Sequence, residues 1–155
     1  MRQLIRFFDL KAIGLFALAS LVVPAVHGVG TIDGQYKSIT ASGSNLVALD
    51  FNNDIHTSSD DGATFTLRQD TSLLFGGTNE NFTELEAFGS TAIAVGIDGL
   101  ILRSNNDGVA WTQASSPTVL GSLFGLAART NNPDPNEWIA VGGDSSAGVI
   151  LRSVD

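Results

Sequence analysis

The sequence predicts an all-β fold, a partial β-propeller of about two and a half four-stranded antiparallel blades, truncated at its C-terminus. Three observations predict it. The chain repeats itself with an offset of 46 residues (Tyr36 to Phe82), the copies carry a shared Ser-x-Asp/Asn-x-Gly-x-x-aromatic pattern, and the residues between are short runs of β-formers separated by turn signals. After the first 28 residues, no stretch keeps a helical apolar period over three turns.

The N-terminal element is a leader. Arg2, Arg6 and Lys11 precede the uncharged run Ala12 to Val26, and the small residues Ala25 and Gly28 offer cleavage points, which together form the tripartite pattern of a secretory signal. The run is shorter than the roughly 20 residues a spanning helix needs, so residues 1–28 are predicted to be a cleaved signal peptide and not an anchor. The expected localisation is secreted or periplasmic, with no membrane span after signal removal. Residues 29–155 are assigned to the repeats, with copies starting near 36, 82 and 123.

In the first copy, strands are expected at Ile39 to Ala41, Leu46 to Leu49, Ile55 to Ser58 and Phe65 to Leu67. The second copy repeats them around Leu85, Ile93 to Val95, Ile101 to Ser104 and Trp111, with Asp98-Gly99 placed for a type I′ hairpin turn. The third copy, from Leu123, carries extra residues at Thr130 to Glu137 and in the turn Gly142 to Gly148; Trp138 is expected to pack at the start of its second strand. Ser153-Val154-Asp155 aligns with Ser58-Ser59-Asp60 and Ser104-Asn105-Asn106. The sequence thus stops inside a third copy of the pattern, and we read the chain as a fragment of a longer propeller.

The pattern has a local physical rationale. Ser58, Asp60, Gly62, Thr64 and Phe65 fill it in the first copy, Ser104, Asn106, Gly108 and Trp111 in the second, and Ser153 and Asp155 begin it in the third. An oxygen at the third position accepts backbone N–H bonds within the turn, glycine at the fifth supplies positive φ, and the aromatic at the eighth staples the hairpin into the blade. Asp60-Asp61 is read as turn chemistry, not as a cation site or catalytic pair, because the copy with Asn106 dispenses with the charge.

These residues resemble the Asp-box of bacterial neuraminidase (BNR) repeats, sialidases and related propellers. The rhythm of IAVGIDGLILRSNNDGVAW is also similar to that of the Ycf48-type photosystem II assembly factors. The resemblance covers nearly all of the mature chain. It implies a propeller whose boxes lie on the outer rim, away from any ligand site, and it implies a protein-binding or assembly scaffold. The Ycf48-type group also implies a basic patch, which has no counterpart in a mature chain with five basic side chains.

Charge and composition prune the function classes. Removing residues 1–28 leaves five basic and fifteen acidic side chains, a formal charge of −10, so nucleic acid is excluded as a partner. Without cysteine the chain has no disulfide, thiolate metal site or thiol nucleophile, and His56 as the lone mature histidine cannot assemble a zinc site. No catalytic residue, metal ligand or cofactor is assigned. Arg103 and Arg152 share one repeat position and are read as structural; Asn81-Phe82-Thr83 is a glycosylation sequon of low information.

Two functional readings follow. The first is an exported, non-catalytic scaffold with a protein or carbohydrate ligand left unnamed. The alternative is a fragment of an extracellular sialidase-like or other propeller glycoside hydrolase, for which Tyr36 is the one tyrosine available as nucleophile. That position is filled by Phe82 in the next copy, which favours packing. Self-association through unpaired blade edges is a further expectation, because a blade exposes an apolar face that only a neighbour covers.

Overall fold

The structure is a computed structural model, and it describes residues 35–74, 81–114, 121–131 and 134–153. The predicted signal peptide and Asp155 lie outside these residues.

Among the described residues, eleven strands form three antiparallel meanders. Blade 1 contains β1 (Tyr36–Ser42), β2 (Asn45–Asp50), β3 (Ile55–Ser58) and β4 (Thr66–Gln69). A single helical turn, α1 (Thr71–Leu74), follows it. Blade 2 contains β5 (Phe82–Phe88), β6 (Thr91–Gly96), β7 (Ile101–Ser104) and β8 (Thr112–Gln113); blade 3 contains β9 (Ser122–Asn131), β10 (Asp134–Gly143) and β11 (Gly148–Ser153). The first strands β1, β5 and β9 pack side by side, which places them innermost. This is the architecture of a partial propeller.

The sequence period recurs in the register. Val47 pairs with Thr57 as Ile93 pairs with Arg103 and Ile139 with Arg152, so equivalent residues of each copy hold equivalent ladder positions. Between β6 and β7, Asp98 (φ 51, ψ 27) and Gly99 (φ 65) both adopt left-handed backbone, and Leu100 N–H donates to Ile97 O at 3.0 Å. That is the type I′ turn expected from the Asp-Gly pair.

The core lies between blades. Val47, Leu49 and Ile55 of blade 1 are fully buried with Phe82, Leu85, Ala92, Ala94, Leu102 and Trp111 of blade 2. A second layer sets Ile93 and Val95 against Leu123, Trp138 and Ala140 of blade 3. Because alternate side chains of a strand point to opposite faces, β6 sends its alanines to blade 1 and its larger side chains to blade 3. All six of its residues are buried. Each fully buried aliphatic side chain contributes about 1.5–3 kcal/mol.

Blade 3 departs from the expectation for Trp138. The residue sits within β10, not at a strand start, because pairing with β9 extends back to Asp134. Trp138 is nonetheless buried, and its indole Nε1 has no hydrogen-bond partner among the described residues.

Candidate functional site

The two complete turns have one geometry. In blade 1, Ser58 Oγ accepts from Gly62 N–H at 2.8 Å and donates to Asp60 Oδ1 at 2.7 Å; Asp60 Oδ1 in turn accepts from Thr64 N–H at 2.9 Å, and Oδ2 from Thr64 Oγ1 at 2.6 Å. In blade 2, Ser104 Oγ accepts from Gly108 N–H at 3.1 Å and donates to Asn106 Oδ1 at 2.9 Å, which accepts from Ala110 N–H at 2.9 Å. The fifth-position glycines have φ 86 and 78. Asp61 and Asp107 at the fourth position are also left-handed, with φ 56 and 58. Aspartate tolerates this region better than most residues, which accounts for a carboxylate that the hydrogen bonding does not require.

The surroundings of the two turns differ. Gly108 lies against blade 1, where a Cβ would come within 2.6 Å of Val47 Cγ2, and Asn45 Nδ2 donates to Asp107 O at 3.0 Å. Trp111 is buried and its Nε1 donates to Gly108 O at 2.8 Å. In blade 1 the corresponding Phe65 is half-buried and stacks at 5.5 Å on Tyr36. The hydrogen bonds of Thr64 and Ser58 hold the exposed Asp60 carboxyl down to about 2. Ser153 is part of β11, and Asp155 lies outside the described residues.

A second polar cluster closes the loop between β2 and β3. Asp50 Oδ1 accepts from Asp54 N–H at 2.8 Å and Oδ2 lies 3.1 Å from His56 Nε2. Tyr36 meets the His56 ring edge-on at 5.4 Å. Asn53 (φ 72) accepts from Phe82 N–H at 3.0 Å and from Lys37 Nζ, while Thr71 Oγ1 donates to Asn53 O at 3.1 Å. The cluster therefore ties blade 1 to the entry of blade 2. Burial raises the Tyr36 and Asp54 pKa values and lowers that of Lys37. His56 is a half-buried strand residue at the position of Leu102 and Leu151, and among the described residues no group of three His, Asp or Glu side chains is placed to hold a metal.

Between blades 2 and 3, a groove of about 930 Å³ runs past Asp98, Ser122, Phe124, Val141 and Asp144. Asp144 is committed to its own turn: Oδ1 accepts from Ser146 N–H and Oγ and from Ala147 N–H, which holds its carboxyl below the usual range.

Sequence reasoning missed the ion pairs of Glu137, a buried carboxylate lying 3.1 Å from Arg129 Nε and paired also with Arg152. Arg103, at the repeat position of Arg152, donates to Asn105 Oδ1 at 2.8 Å instead. No local spacing signals Glu137, because its partners come from two different strands. In the sequon, Phe82 is fully buried and Thr83 Oγ1 lies within hydrogen-bond distance of the Val95 and Leu123 carbonyls. The turn residues are thus gathered within their own blades, not converged on a shared site.

No family model matches the chain, and no curated protein matches it. Among solved structures it is similar to YCF48 from Cyanidioschyzon merolae, with a TM-score of 0.61 and 19% identity over 80% of this chain. The chain spans 38% of the length of that structure. At this identity the likeness speaks for fold, and it agrees with the three meanders: this is an all-β protein with the fold of a partial β-propeller.

Proposed function

We propose that the chain is an exported, non-catalytic Asp-box propeller protein that serves as a protein-binding or assembly scaffold. The observation that carries this reading is the local use of polar side chains. Asp60 and Asn106 hold their own turns, Asp50 and Asn53 hold a blade connection, and Glu137 lies between two arginines. A glycosidase needs an acid and a nucleophile converging on one sugar. Here the tyrosine that would act as nucleophile packs against Phe65 and meets His56 edge-on at the flank of blade 1. Ycf48-like shape supports the scaffold reading further.

Two measurements test it. A photo-crosslinking residue in place of Asp98 or Asp144, on the blade-end loops, is expected to join one discrete protein in intact cells. Aryl glycosides, the sialoside included, are expected to show no turnover. Turnover lost on Glu84→Gln or Glu86→Gln would replace the scaffold with the hydrolase. Export is checked by mass spectrometry, with a new N-terminus expected between Val26 and Thr31.

A further inference from the structure

Among the described residues, three of the large apolar side chains left exposed belong to one end of blade 1. Phe51 is 61%, Leu73 79% and Leu74 41% exposed. Ile39, Val141 and Ile150 are exposed too, but they lie on sheet faces of the kind that pack blade on blade inside the array. Phe51 and the two leucines instead stand where strands end, on the β2–β3 turn and on α1. The two pieces are fastened together: Thr71 N–H donates to Asp54 Oδ1 at 3.3 Å and Thr71 Oγ1 to Asn53 O at 3.1 Å. The turn itself is held by Asp50 N–H on Asp54 O, Asn53 N–H on Asp50 O and Phe51 N–H on Gln35 O, at 2.8–3.1 Å. An aromatic ring presented to solvent on so fixed a backbone loses little freedom on binding, which is the property of an interface anchor.

Charge at this end has one sign. Asp54 lies in the turn and Asp70 precedes α1, and the equivalent turns of blades 2 and 3 add the exposed Asp98 and Asp144. The five basic side chains of residues 29–155 do not answer them. Arg103 adjoins Ser104, and Arg129 and Arg152 bracket Glu137, all toward the opposite ends of their strands. Arg68 Nε is turned to Thr57 Oγ1 at 2.7 Å, and Lys37 Nζ is held by Asn53. The Asp54 carboxyl registers the crowding: burial, then the nearby carboxylates of Asp50 and Asp70, push it up, against the Thr71 N–H and His56, which pull it down.

We propose that this end of blade 1 binds a lysine- or arginine-rich segment of another protein, with an apolar side chain of the segment seated on Phe51, Leu73 and Leu74 and its cations on the surrounding carboxylates. The apolar patch supplies the anchor. The carboxylates choose the partner, since acidic peptides and other polyanions are repelled and a cationic segment relieves the like charges around Asp54. Blade-on-blade packing does not reach this surface, so it stays open whatever flanks blades 1 and 3. The inference rests on the scaffold reading for the existence of a protein partner, and adds the surface and the chemistry that select it.

The test is fluorescence anisotropy of labelled peptides with the exported chain. A peptide of alternating lysine and leucine is expected to bind at least about tenfold more tightly than peptides with glutamate for lysine or serine for leucine, and to weaken with salt. Phe51→Ser and Leu73→Ser should each weaken it about tenfold. Val109→Ser, at a 40% exposed position in the turn after β7, should not. Asp70→Asn, which keeps the bonds to Ser72, should weaken it about twofold to threefold at low salt, whereas Asp61→Asn at the far end of blade 1 should not. No binding, equal binding of either control peptide, or equal losses at Val109 and Asp61 would overturn the proposal. A photo-crosslinking residue at Leu73 in intact cells separates it from the scaffold reading: the joined segment should carry net positive charge. A partner joined only through Val109, Asp98 or Asp144, or through an acidic segment, overturns this inference and leaves the scaffold; no partner at any of these positions overturns both.

Discussion

The turn of blade 1 and the turn of blade 2 are one hydrogen-bonding device in two settings. Serine, Asp60 or Asn106, and glycine make the same bonds in both, although one turn carries a carboxylate at the solvent and the other a carboxamide beside a buried junction. The geometry is therefore set within eight residues and needs neither the charge nor the neighbouring blade. What the neighbour adds is burial. Gly108 and Trp111 are buried where Gly62 and Phe65 are half-exposed.

Breaking each half of this pair should separate the two contributions. The largest effect is expected for Trp111→Ala, about 3–5 kcal/mol, which removes a buried aromatic and its bond to Gly108; Phe65→Ala should cost about 1–2 kcal/mol. Urea unfolding read by tryptophan fluorescence for Phe65→Ala, and by circular dichroism for both, checks the ratio. Equal losses would mean that the junction adds nothing. Next comes Gly108→Ala, at about 2–3 kcal/mol, because backbone strain adds to a clash with Val47; Gly62→Ala should show the strain alone, about 1 kcal/mol. Ser104→Ala should cost about 1–2 kcal/mol by leaving the Gly108 N–H without its acceptor.

Acid gives a smaller and more selective effect. Asp60 is held at about 2, below its ordinary 3.8, so its stabilising contribution is full above about pH 4 and is lost as pH falls through about 2. Asp60→Asn should flatten stability across that window, with thermal melts at steps of pH as the measure. The smallest change is expected for the same substitution at pH 7, where the turn with Asn106 shows that the geometry survives without charge.

Much of the fold was legible because the offset of 46 residues aligns strand with strand and turn with turn, so Ile93 to Val95 could be read from Leu46 to Leu49. The strands of blade 3 were less legible, since β9 and β10 pair out to Asn131 and Asp134 through a segment that has no counterpart in the other copies. In the turns, the serine, aspartate and glycine were visible in the pattern, and the left-handed Asp61 and Asp107 were not, because nothing in the spacing demands them. The clasp of Asn53 on Phe82 and the arginines around Glu137 join residues 29 apart or on separate strands. Contacts of that kind depend on how elements are packed, which a repeat pattern alone does not encode.

Strand β6 has a consequence for the order in which the chain matures. Its six residues, Thr-Ala-Ile-Ala-Val-Gly, carry no charge and are hidden on both sides once the array is complete. During synthesis from the N-terminus, blades 1 and 2 can dock as soon as β8 has emerged, yet Ile93 and Val95 must wait for Leu123, Trp138 and Ala140. For that interval the nascent protein shows a flat aliphatic strip, the kind of surface that invites holdase chaperones or off-pathway strand pairing. Slow codons between β8 and β9 would lengthen the exposure, and the yield of soluble protein would report it.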